Sequence, residues 1–118
     1  MIKTVHDPRI PAPDSCMLIK VLTRHASERP DSTFAVFEDE TRWTYSETLD
    51  QVRRAAAALA ALGVKPGDYV GMWLPNSAEA VRLWFAVNYL GAVFVPLNLA
   101  YRGALLEHCI QTAKMRLL

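Results

Sequence analysis

The chain has 118 residues, 52% hydrophobic and 21% charged, with a net charge of +1 from 13 basic and 12 acidic side chains. That size suits one domain able to bury roughly two-thirds of its unfolded surface, and that balance excludes a disordered chain. Basic residues are scattered, which leaves no footprint for nucleic acid.

The opening MIKTVHDPRIPAPDS is proline-rich and has no apolar signal core, so residues 1–13 read as an extended lead-in and cytoplasmic residence is expected. Cys16 and Cys109 stand far apart without metal or redox spacing, which agrees with reduced thiols in that compartment. Asp14 or Ser15 is expected to cap a helix reaching about Arg29, with Leu18, Leu22 and Ala26 on one face and Pro30 ending it. TFAVFEDETRWTY then reads as two short strands around an acidic turn at Glu38, Asp39 and Glu40. Neighbours on a hairpin tip do not converge on one ion, so a solvated turn is expected there rather than a metal site.

Thr44 and Glu47 have capping-box spacing. The helix they open carries Tyr45, Leu49, Val52, Ala56 and Leu59 at alternating steps of four and three, with Asp50, Arg53 and Arg54 facing water. The small residues Ala55–Ala58 admit a close neighbour, and Gly63 suits a left-handed C-terminal cap. Beyond it, strand Tyr69–Leu74, helix Ala78–Leu90, strand Ala92–Leu97, helix Ala104–Thr112 and strand Met115–Leu118 alternate as in a parallel sheet with covering helices. The strands lack period-two alternation, as expected when both faces are covered. The helix at 78–90 is apolar nearly all round and is expected to be deeply packed. The window 83–97 is shorter than the roughly 18 apolar residues of a membrane span and is broken by Asn88, Gly91 and Pro96.

Motifs for a phosphate loop, a dinucleotide site, a serine nucleophile or a zinc site are missing from the sequence. Catalytic and metal-binding residues are therefore not expected. The candidates for ligand contact are Asn76, Tyr101 and Arg102, which follow two strands at their carboxyl ends, where parallel sheets bind ligands. Asn76 with Glu79 also fits a capping box, and that is its expected role. Tyr101 and Arg102 have packing and solvation as their alternative to an aromatic or anionic ligand. His108 and Cys109 are helix neighbours pointing about 100° apart, unable to exchange a proton directly.

The order TYSETL, GVKPGD, LPNS, GA and PLN resembles the N-terminal portion of adenylate-forming (AMP-binding) acyl-CoA synthetases, nearest the fatty-acid and crotonobetaine/carnitine ligase branch. The resemblance covers about residues 15–118, and Thr48 departs from it where the family usually has leucine. It implies an N-terminal, incomplete segment (14–118) of a large α/β domain, a parallel sheet with covering helices plus a short hairpin. The implied reaction joins a carboxylic acid to coenzyme A, with ATP converted to AMP and pyrophosphate and Mg2+ assisting. The phosphate loop, magnesium ligands and catalytic lysine of the family are not matched here. The chain alone is therefore expected to be inactive and to self-associate through exposed apolar surface. The competing readings are a stand-alone, non-catalytic α/β module binding an acyl or nucleotide ligand or a protein, and a small membrane-associated protein.

Overall fold

The computed structural model describes residues 7–117. Pro13–Ser15 form a 3-10 turn, and α1 (Leu18–Glu28) follows it. The expected cap at Asp14 or Ser15 is corrected: Pro13 starts the tighter turn, which takes both residues. Helix α1 then begins at Leu18, behind Met17, without a side-chain cap. Its predicted stripe is present. Leu22 is buried, and Leu18 and Ala26 pack beside it.

Strands β1 (Thr33–Val36) and β2 (Arg42–Thr44) pair antiparallel around an exposed tip at Glu38–Glu40. Thr44 then opens α2 (Tyr45–Ala61). Its hydroxyl accepts the Glu47 amide at 3.1 Å, while the Glu47 carboxylate accepts the Thr44 amide at 2.9 Å. Both halves of the capping box are made. Leu49, Val52, Ala56 and Leu59 are buried, as their spacing predicts, and Asp50, Arg53 and Arg54 are exposed. Thr48 is buried too. Its hydroxyl returns to the Thr44 carbonyl at 2.7 Å, so it brings no unpaired polar atom into the core.

The parallel sheet has the order β4-β3-β5, from β3 (Tyr69–Met72), β4 (Val93–Pro96) and β5 (Arg116–Leu117). Strands β3 and β4 are shorter than their apolar runs suggest. The amide of Leu97 makes the last β4-to-β3 bond, to the Met72 carbonyl at 2.9 Å, and Trp73–Leu74 then leave the sheet. Leu118 lies outside the described residues. Central β3 buries Val70, Gly71 and Met72, as a doubly covered strand should. At the edge, β4 does not: Val93 is 41% exposed.

Helix α3 (Ala78–Tyr89) joins β3 to β4, and α4 (Gly103–Ala113) joins β4 to β5. The deep packing expected of α3 is limited to Phe85, Ala86 and Val87. Ala86 and Val87 join Ala56, Leu59, Val64, Val70 and Ala92 in one core, against the small residues of α2. Trp84 and Tyr89 are each 42% exposed, because α3 is covered on one side only. Helix α4 buries none of its residues.

Helices α2, α3 and α4 end in one way. A left-handed residue (Gly63, Gly91 or Lys114) precedes a buried residue (Val64, Ala92 or Met115) whose amide reaches back to Leu59, Val87 or Ile110. This is the Schellman closure. A file of rings also crosses the molecule: His25 meets Tyr45, Phe34 meets Tyr45 and Phe85, and Trp84 meets Phe85 and Phe94.

Candidate functional site

The carboxyl ends of β3 and β4 release two loops, 73–77 and 97–102. In the first, Ser77 holds the cap that Asn76 was expected to hold. The Ser77 hydroxyl accepts the Ala80 amide at 3.2 Å and donates to the Pro75 carbonyl at 3.1 Å. Ser77 is extended (φ −165°, ψ 170°), the conformation an N-cap needs. Glu79 is turned to Arg82 instead of back to Asn76. Asn76 is left exposed and makes no hydrogen bond among the described residues.

In the second loop, the Asn98 side chain accepts the Ala100 amide at 2.9 Å, and the Tyr101 amide donates to the Asn98 carbonyl at 3.0 Å. Tyr101 is half-buried. The guanidinium of Arg102 lies 4.6 Å from the centre of the Trp73 ring. It also donates to the carbonyls of Leu99 and, at 2.8 Å, Tyr101. The two loops are thus brought together through Arg102 and Trp73. Neither Tyr101 nor Arg102 shares a hydrogen bond or ring contact with Asn76 among the described residues. Trp73 went unnoticed in the sequence because it sits inside an apolar run. Its indole Nε1 is enclosed and meets no acceptor.

Asn76 and Ser77 line two hollows. One, about 320 Å³, lies between α3 and the strand ends, walled by Met72, Val81, Trp84, Phe94 and Leu97. The other is an open cleft of about 780 Å³ between the start of α3 and the hairpin. There Arg82 lies 5.4 Å from the Trp43 ring and keeps its Nε enclosed without an acceptor. Asp39, on the same cleft, is held below the ordinary carboxylate range by the Thr41 hydroxyl and amide, the amide at 3.0 Å.

Among the described residues, no three His, Cys, Asp or Glu side chains gather where a metal ion would bind. The hairpin-tip acids are exposed, with Asp39 accepting from Thr41, and they do not gather on one point, so the described residues do not fit Mg2+, and among them no glycine-rich turn opens a helix to hold a triphosphate. No described helix is long and apolar enough to cross a membrane.

Residues 22–118 match the AMP-binding enzyme family. A methyl-dioxo-octahydro-indenyl-propanoyl:CoA ligase of Mycobacterium tuberculosis is 45% identical over 80 residues, which are 68% of this chain and 16% of the ligase. The mitochondrial medium-chain acyl-CoA ligase ACSF2 of Danio rerio is 43% identical over 74 residues, 62% of this chain and 12% of that protein. The inhibitor-bound N-terminal domain of FACL13 from Mycobacterium tuberculosis superposes with a TM-score of 0.79 at 28% identity, covering 84% of this chain and 25% of that domain. The chain thus spans 16% and 12% of the lengths of these two ligases.

Proposed function

Since the chain belongs to the AMP-binding enzyme family, we propose that residues 14–118 serve as the N-terminal segment of an AMP-forming acyl-CoA synthetase domain. The activity would reside in a longer protein that joins a carboxylic acid, a fatty acid among the candidates, to coenzyme A at the expense of ATP. Magnesium and the phosphate groups would be held there by residues outside this segment. The contribution of the segment is a scaffold: β3, β4 and their crossover helices set the sheet on which the two carboxyl-end loops stand. Asn76, Tyr101 and Arg102 are the segment's own candidates for touching a ligand. We place the protein in the cytoplasm, consistent with Cys16 and Cys109 as free thiols. Taken by itself, the chain would be inactive and would associate through the β4 edge and its exposed apolar residues.

The observation that carries this reading is the family match over 22–118, supported by the shared fold at 28% identity. A chimera tests it. Residues 22–118 replace the matching segment of the similar Mycobacterium tuberculosis ligase, and pyrophosphate exchange with ATP is measured with that enzyme's own acid. The chimera should retain acid-dependent exchange, and the 118-residue chain alone should show none. A folded chimera without exchange, or exchange by the isolated chain after rigorous removal of host ligases, would refute the proposal.

A further inference from the structure

The hollow of about 320 Å³ sits where a parallel sheet is best placed to receive a ligand, at the carboxyl ends of β3 and β4 beneath the first turns of α3. Its size is at the low end of the roughly 300–1,000 Å³ of small-molecule sites, which restricts it to a small occupant. No charged side chain lines it, so a charged ligand would lose hydration without compensation. One wall is aromatic. The rings of Trp84 and Phe94 stack at 28° with centres 5.9 Å apart, which favours a planar ring beside them. The polar rim is Ser77 and Asn76. The Ser77 hydroxyl is already committed to Ala80 and Pro75, whereas the Asn76 amide has both donor and acceptor unused among the described residues.

We propose that this cavity binds a small uncharged aromatic molecule bearing a carbonyl or hydroxyl, with its ring against Trp84 and Phe94 and its oxygen at the Asn76 amide. The proposal stands on the cavity and does not depend on the synthetase reading above.

Benzamide and toluene, titrated separately into nitrogen-15-labelled protein, provide the test. Benzamide should shift the Trp84 indole and Asn76 side-chain signals together and saturably, leaving the Trp43 indole in place. Asn76→Ala should weaken benzamide by about three- to tenfold, the value of one hydrogen bond, and leave toluene unchanged. Ala80 also lines the hollow, and Ala80→Leu, which would fill it, should remove both. If that variant fails to fold, the Asn76→Ala comparison still decides. No saturable shift at Trp84, shifts spread over exposed Tyr69 and Leu105, or equal weakening of both probes by Asn76→Ala would overturn the proposal.

Discussion

The guanidinium of Arg102 rests 4.6 Å from the ring centre of Trp73 while it bonds the Tyr101 carbonyl of its own loop. It therefore fastens one carboxyl-end loop to the other strand's exit. Arg102→Ala should cost about 0.5–1 kcal/mol, as for an exposed cation–π pair, and should shift the Trp73 indole resonance. Arg102→Lys should recover less than half, because an ammonium lacks the fork that reaches ring and carbonyls together. Urea midpoints and the indole spectrum give both numbers. Full stability in Arg102→Ala would show that the loop is held by other contacts.

Helix capping makes a sharper distinction between neighbours. Ser77→Ala should lose about 1 kcal/mol, and Asn76→Ala should stay within about 0.5 kcal/mol of the parent. Thr44→Ala, which breaks the capping box of α2, should match the Ser77 loss. Chemical denaturation of the three variants checks this. A loss confined to Asn76→Ala would return the cap to position 76.

Lys114 occupies the left-handed region at φ 51°, where Gly63 and Gly91 serve the equivalent junctions. Lys114→Gly should therefore stabilise the chain by about 0.5–1 kcal/mol. Gly91→Ala should destabilise it by about 1 kcal/mol or more, through backbone strain. A methyl there would meet Pro66 at an ordinary 3.6 Å, so collision is not the cause. Thermal melts of the two variants should move in opposite directions.

Asp39 supplies a pH dependence. Its folded-state pKa is lowered by the Thr41 hydroxyl and amide, so ionised Asp39 favours the ordered hairpin tip. That contribution is complete above the ordinary carboxylate value of 3.8 and fades as pH falls through the lower folded value. The Thr41 amide resonance should move over that acid window. Asp39→Asn, which keeps an acceptor oxygen but no ionisable group, should abolish the movement.

Local pattern was readable from sequence wherever one face of an element meets the core. The Tyr45-to-Leu59 stripe, the Thr44–Glu47 box and the strand–helix alternation all follow from spacing alone. Ambiguity entered where two residues satisfy one rule. Asn76 and Ser77 are both good caps, and only the backbone angles at 77 select between them. At α1 the proline at position 13 changed the type of turn, which moved the start of the helix by several residues. A helix that is apolar nearly all round carries little record of which face stays open, so the exposure of Trp84 and Tyr89 was not legible. The meeting of Arg102 with Trp73, and the hollow beside Trp84, depend on how far two strands diverge after their last shared hydrogen bond. Local spacing holds no such information.

The file of rings from His25 to Phe94 has a mechanical meaning. Phe34 stands edge-on to Tyr45 at 5.6 Å and to Phe85 at 5.5 Å, so it belongs at once to the hairpin and to the helix over the parallel sheet. The hairpin cannot swing away without separating aromatic pairs, each adding about 0.5–1.5 kcal/mol beyond its buried area. The rings thus tie α1, the hairpin, α3 and β4 into one packed series, and moving α1 away from β4 would part these pairs in turn.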